Sequence, residues 1–261
     1  MTVPSFSPRP TLQLRSVLLG EGRPKICVPL VATTPAALGV AAAALPTGDF
    51  DLVELRIDFL DAVDDTVSVI AAVDAVRTAL PDGIPILFTF RTAREGGQRD
   101  ISAGDYEALL AVAVSAGVDA VDVEMFTDRD HLVRIVDNAH TAGVPVVMSS
   151  HDFEKTPPRD EIVSRLVAQQ ELGADVVKIA VMPTSPRDVL TLMDATEHFT
   201  ARLATRPAIT MSMGALGVIS RLAGETIGSS LTFGSVGASS APGQVDARTL
   251  KALLDVVHAA Q

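Results

Sequence analysis

The 261-residue sequence is short of cysteine, of lysine and of long apolar runs, and each shortage excludes something. A single cysteine, Cys27, leaves no intramolecular disulfide and no cysteine cluster for zinc. The longest apolar stretch, residues 36–45, is alanine-rich and too short to cross a bilayer. The opening residues MTVPSFSPRP lack a basic segment followed by an apolar run, which predicts no signal peptide and a cytoplasmic protein. Lysine and arginine (21) are outnumbered by aspartate and glutamate (32), and the net charge of −11 argues against nucleic acid or an anionic membrane as partner. A small anionic ligand stays open, because local arginines can reverse the field inside a cleft. No His-x-x-x-His or carboxylate-rich ligand set is present, so no metal is expected. No glycine fingerprint follows the first predicted strand (ICVPLVATTP), which counts against an open doubly wound sheet. Only four lysines exist, Lys25, Lys155, Lys178 and Lys251, so few side chains compete for an amine role.

What is present is a regular alternation. Apolar residues make up 48% of the chain, enough for a sizeable core. The pattern predicts strands over 26–31, 51–59, 86–91, 119–125, 145–151, 175–182, 207–213 and 231–234. Helices are predicted between and after them, over 34–45, 67–79, 104–116, 130–141, 159–172, 186–199, 218–223 and 246–259. Pro35 sits near the start of the first helix, and Gly117, Gly143 and Gly173 end three others. A period of about 30 residues per strand–helix unit fits a (β/α)8 TIM barrel in a single domain, residues 23–261. Residues 1–22 carry three prolines and no clear period, and read as a tail or an N-terminal cover.

The sixth strand, DVVKIAVM, holds Lys178 in its middle. Alternation puts Val177, Ile179 and Val181 on one face and Val176, Lys178, Ala180 and Met182 on the other. A charged lysine in an apolar strand is costly, so burial favours the neutral amine, a nucleophile towards carbonyls. The bland alternative is a lysine snorkelling from the strand end. Other strands also carry charge on one face: Glu54, Arg56 and Asp58 in the second, Asp122 and Glu124 in the fourth, with Arg91 and His151 ending the third and fifth. The apolar faces need helices over them, so the charged faces must point into the barrel. There they build a site at the C-terminal mouth or form buried ion pairs. For Asp58, Asp122 and Glu124, structural pairing weighs at least as much as direct chemistry.

The loop RTAREGG after the third strand brings Arg94 and Glu95 to the mouth, and Arg221 lies in the short helix after the seventh. The Gly/Ser-rich stretch 234–244 after the eighth strand suits either a phosphate site or a lid on a carboxylate. Of five histidines, His131, His140, His198 and His258 fall in helix patterns and are expected at the surface. His151 ends a strand one strand away from Lys178, the expected partner for proton abstraction beside an activated carbonyl.

With these residues in place, the chain resembles type I 3-dehydroquinate dehydratase, the Schiff-base enzyme of the shikimate pathway. The matching segments are ELRIDFL (54–60), FRTAREGG (90–97), DVE (122–124), SSHDFEKTP (149–157), VKIAVMP (177–183), SMGALGVISR (212–221) and SVGASSAPGQ (235–244), in order from about residue 24 to 260. The resemblance implies that Lys178 forms an imine with the C3 ketone of 3-dehydroquinate. It implies that His151 takes a proton from C2 and returns it to the leaving C1 hydroxyl, a syn elimination giving 3-dehydroshikimate and water. Glu95 would orient His151, with Asp122 behind it as a further partner. Glu54, Arg56 and Arg91 would hold substrate hydroxyls, and Arg221, Ser240 and Gln244 the carboxylate. Met211, Met213, Phe153 and Phe233 would pack around the ring. The resemblance further implies no metal or organic cofactor and a homodimer. Pro29 departs from members with a hydroxyl residue there, which removes one substrate hydrogen bond without touching the chemistry. Two other classes stay in view: a Schiff-base aldolase acting on a phosphorylated sugar, and a non-catalytic barrel binding a small acid.

Overall fold

The computed structural model describes residues 9–237 and 243–260. The first element among the described residues falls in the predicted tail or cover. Strands β1 (Leu12–Leu14) and β2 (Val17–Leu19) pair antiparallel, with Arg15 in the left-handed region at the turn. Eight further strands follow, near their predicted positions: β3 (Lys25–Leu30), β4 (Leu52–Arg56), β5 (Ile86–Thr89), β6 (Ala120–Glu124), β7 (Val146–Asp152), β8 (Val176–Val181), β9 (Ala208–Ser212) and β10 (Leu231–Ser235). All pair parallel in chain order, and β10 pairs back onto β3. A short β11 (Val245–Asp246) adds to the outside of β10. The ring closes between β9 and β10, where Ser230 N–H donates to the Ala208 carbonyl at 2.7 Å. At the same seam the Ser229 hydroxyl accepts from Thr210 N–H at 3.0 Å.

Crossover helices are right for a parallel sheet, which leaves no room for tight hairpins. They are α1 (Pro35–Ala43), α2 (Thr66–Ala79), α3 (Ala103–Ser115), α4 (Arg129–Thr141), α5 (Arg159–Glu171), α6 (Pro186–Arg202), the short pair α7 (Val218–Leu222) and α8 (Gly224–Ile227), and α9 (Ala247–Ala259). Local chemistry sets their ends. Thr34, Asp65, Ser102, Asp128 and Asp246 cap N-termini by accepting backbone N–H bonds, and Ser185 and Asp188 form a capping box at α6. No helix among the described residues is long and apolar enough to cross a membrane.

Two apolar layers result. The outer one lies between strands and helices and takes the odd-numbered residues of β8, Val177, Ile179 and Val181. The inner one fills the barrel with Cys27, Leu52, Leu87, Ala120, Val147, Val176 and Leu231, and the hairpin residues Leu14, Val17 and Leu19 join it. The inner layer is apolar at the hairpin end. Towards the C-terminal ends of the strands the same inward positions become Glu54, Arg56, Asp122, Glu124, Ser149 and Lys178, all buried.

Two strands end sooner than their patterns predict: β5 stops at Thr89, so Arg91 lies just past it, and β4 stops at Arg56. The alternation of 51–59 stops at Arg56, and Ile57–Phe59 forms a 3-10 turn. Asp58 therefore does not continue the inward face as a strand residue. It is fully buried and binds the Arg56 guanidinium through two hydrogen bonds of 2.8 Å.

Candidate active site

The mouth of the barrel holds an open cavity of about 690 Å³, a volume that includes the solvent at its opening. Its lining gathers side chains from six of the eight barrel strands or the segments after them: Glu54, Arg56, Arg91, Glu95, His151, Phe153, Lys178, Met211, Met213, Arg221, Phe233 and Gln244, with Gly96 and Ala180 between them. Ser240 lies outside the described residues. Asp122 sits beneath the cavity, and Arg94 turns away from it, donating to the Phe126 carbonyl at 3.0 Å. The four helical histidines stay out of the mouth. His131, His140 and His258 bind Glu107, Asp175 and Glu225, and His198 meets Arg202. Pro29 stands in β3 beside Glu54.

Lys178 occupies the floor. Its Nζ donates to Asp122 Oδ2 at 2.8 Å, lies 3.6 Å from Glu54 Oε1, and stands 4.9 Å above the Phe233 ring. The strand around it is apolar, but the amine itself faces two carboxylates and an aromatic face. That pairing was hidden from local sequence, because Asp122 lies 56 residues away.

Asp122, which the resemblance places behind His151, takes its hydrogen bonds from other groups: its oxygens accept from Lys178, from Arg91 at 2.7 Å and from the Ser149 hydroxyl at 2.6 Å, while its charge still acts on His151. No hydrogen bond joins it to His151. Burial alone would raise its pKa, but Arg91 and Lys178 overcome that and hold it far below the usual carboxylate range.

The partner of His151 is Glu95. Glu95 Oε2 lies 2.8 Å from His151 Nδ1 and accepts the His151 backbone N–H at 3.1 Å. Glu95 is 3% exposed, and its Oε1 is buried with no hydrogen-bond partner. Burial, then the nearby Glu124, push its pKa up to about 8, against Arg91, which lowers it. Burial also pushes His151 well below the ordinary histidine value, with Arg91 and Lys178 acting the same way. Bound to Glu95 through Nδ1, the imidazole keeps Nε2 for a ligand.

Arg91 is the hub. Burial disfavours its charge, but Asp122 and Glu124 more than compensate. Its NH1 donates to Glu124 at 2.9 Å and to Ser149 at 3.0 Å. Arg221 is 2% exposed in α7, and desolvation lowers its pKa to about 10, so it stays a cation at neutral pH. Among the described residues no group of three or more His, Cys, Asp or Glu side chains is arranged to hold a metal.

Some contributors were reachable from sequence but not singled out. Counting back two residues from His151 marks Ser149 as inward, and the same count from Arg91 marks Thr89, which donates to Glu54 at 3.1 Å. Gln169 follows Ile162 and Leu166 on the buried face of α5, and its amide binds both the N–H and the carbonyl of Lys178 at 2.9 Å.

Comparison with known proteins agrees with this geometry. The family model for type I 3-dehydroquinase matches residues 26–261. A 3-dehydroquinate dehydratase of Listeria monocytogenes is 52% identical over 246 residues, covering 94% of this chain and 97% of the relative. One from Bacillus licheniformis is 49% identical, covering 95% of this chain and 97% of the relative. The crystal structure of type I 3-dehydroquinate dehydratase from Clostridium difficile, solved with covalent modified comenic acid, superposes with a TM-score of 0.93 at 42% identity, covering 97% of this chain and 99% of that one. With the family model covering every barrel strand but the first residue of β3, the chain belongs to the type I 3-dehydroquinase family.

Proposed function

We propose that this barrel converts 3-dehydroquinate to 3-dehydroshikimate and water, with Lys178 as the imine-forming amine and His151 as the proton carrier. The observation that carries the reading is a buried lysine amine at the floor of a cavity whose wall holds a neutral, glutamate-bound histidine on the adjacent strand. Lys178, once deprotonated, attacks the C3 ketone; a C–N bond forms and the carbonyl oxygen leaves as water. The protonated imine draws electrons away from C2, and His151 Nε2 takes the C2 proton to give an enamine. The C1–O bond then breaks, and the hydroxyl leaves as water with the proton from His151. Hydrolysis of the conjugated imine consumes one water, releases 3-dehydroshikimate and restores Lys178.

The remaining side chains bind and orient. Arg221 supplies a bidentate partner for a carboxylate, with Gln244, and by the resemblance Ser240, as further partners for it. Glu54, Arg56 and Arg91 face the substrate hydroxyls. Met211, Met213, Phe153 and Phe233 pack the ring. A homodimer and a cytoplasmic location belong to the same reading, and light scattering tests the first. The phosphorylated-sugar aldolase reading uses the same lysine but has less use for Arg221 and Gln244 as a carboxylate clamp.

The test is direct. The protein is incubated with 3-dehydroquinate, enone absorbance is followed, and the mixture is reduced with borohydride for intact mass. Enone formation and a reduced adduct on Lys178 are expected. Lys178→Ala abolishes both, and His151→Ala cuts turnover about 10²–10⁴-fold while still allowing adduct. Absence of enone and adduct in the unaltered protein would sink the reading.

A further inference from the structure

Glu95 does not lie on a strand. It rides on a loop, so something must fix that loop if Glu95 is to meet His151 at 2.8 Å. Two buried carboxylates do so, neither of them lining the cavity. At the loop's entry, Glu124 Oε1 accepts from Thr92 N–H at 2.9 Å and Oε2 from the Thr92 hydroxyl at 2.7 Å. At its exit, Asp58 Oδ2 accepts from Gln98 N–H at 3.2 Å, while Oδ1 accepts from Arg91 N–H at 3.4 Å. Within the loop, Glu95 and Gly97 N–H both donate to the Thr92 carbonyl, at 3.0 and 2.8 Å, so Thr92 is its pivot. Both carboxylates are fully buried, a costly placement unless their bonds are used.

We propose that Glu124 and Asp58 are positioning residues of the dehydratase site, stapling the 91–98 loop through Thr92 and Gln98 so that Glu95 orients His151. The proposal rests on the function argued above for Lys178 and His151. It also assigns Glu124 an electrostatic part. The charges facing Glu95 are Arg91 on its own loop, Asp122 and Glu124 on β6, and the imidazole of His151 on β7. Of these, Glu124 is the strongest anion acting on Glu95, and together they set how readily the Glu95–His151 pair gives up its proton.

Thr92→Val removes one hydroxyl, keeps the backbone N–H and touches no cavity side chain. Its expected effect is a fall in kcat of about tenfold or more, the scale of a lost hydrogen bond to a charged group, with KM within about twofold. Thr92→Ser restores the rate. The borohydride adduct on Lys178 forms as in the unaltered protein, because imine formation does not need the staple. Glu124→Gln moves the alkaline-side rise of the pH–rate profile to lower pH. Wild-type kcat in Thr92→Val, or an unmoved pH profile in a folded Glu124→Gln, would overturn the proposal. Loss of the adduct in Thr92→Val, or equal losses in the Val and Ser variants, would do the same. Failure of the unaltered protein to form any adduct would instead overturn the reading of Lys178.

Discussion

At the scale of single residues, the proposed chemistry turns on where one proton sits. Glu95 and His151 share it as a pair, so the pair rather than either residue titrates. With the proton gone, Glu95 is a carboxylate holding Nδ1–H, and Nε2 is free to act as a base. With the proton present, Glu95 keeps it, Nδ1 accepts from Glu95, and Nε2–H can serve as an acid. The proposed elimination uses both forms in turn. With Glu95 pushed up to about 8, proton abstraction is expected to rise with pH up to about that value. Glu95→Gln should flatten that limb and lower kcat, checked by the pH dependence of enone formation. The same raised pKa has a thermodynamic sign. A carboxyl whose folded pKa exceeds its unfolded one favours the fold while protonated, and loses that contribution as pH rises through the folded value. Glu95→Gln should therefore raise the melting temperature relative to the unaltered protein above pH 8, measured by calorimetry, while impairing turnover. Lys178 was legible in the sequence because it interrupts an apolar strand. Its carboxylate Asp122 was visible as inward-facing, but its hydrogen-bond partners were not, since they arrive from the segment after β5 and from β7 and β8, 27 to 56 residues away in the chain.

At the scale of elements, the candidate site draws Lys178 and Glu54 from within strands, Glu95 from the segment after β5 and Arg221 from α7, and the loops differ in how firmly they are held. The Arg91–Gln98 loop is held to within a methyl group. A β-carbon on Gly97 would lie 1.8 Å from the Arg91 carbonyl oxygen, backbone against backbone. Gly97→Ala must therefore shift the loop and pull Glu95 from His151. The expectation is a large loss of kcat with the barrel still folded, checked by kinetics beside circular dichroism. A β-carbon on Gly96, already left-handed at φ 85°, would meet the Phe153 ring at 2.4 Å. In the sequence, a glycine pair straight after Arg91–Glu95 suits a tight turn near a ligand. The positions of barrel strands and helices were readable from the βα period, to within a few residues. The break at Arg56 was not. Ile57 and Phe59 continue the apolar alternation, and nothing local marks the turn. Asp58 is held there by backbone groups 33 and 40 residues onward. Arg94 and Glu95 could not be ranked by pattern either, because their loop has no period; only the fold sends one to a carbonyl and the other to His151.

At the scale of the whole molecule, stability and reactivity occupy opposite ends of the same barrel. The mouth concentrates buried charge. The other end is apolar and closed by the β1–β2 hairpin, whose Leu19 is 1% exposed. Leu19→Ala should destabilise the fold by about 2–5 kcal/mol, measured by denaturant unfolding, and leave KM unchanged. This division follows from the parallel sheet: every strand delivers its C-terminal end to one rim, so polar chemistry collects there and the opposite rim is free to be sealed.

That sealed end also encloses Cys27, wholly buried inside the barrel, its thiol pushed well above the ordinary value first by burial and then by Glu54. A thiol so placed is a poor nucleophile and shielded from reagents. It makes the lone cysteine a built-in clock. A disulfide reagent can reach it only when the barrel opens, so its rate of modification in the absence of denaturant reads the population of open molecules. Comparing that rate in the unaltered protein and in Leu19→Ala would time the opening of the sealed end without attaching any probe.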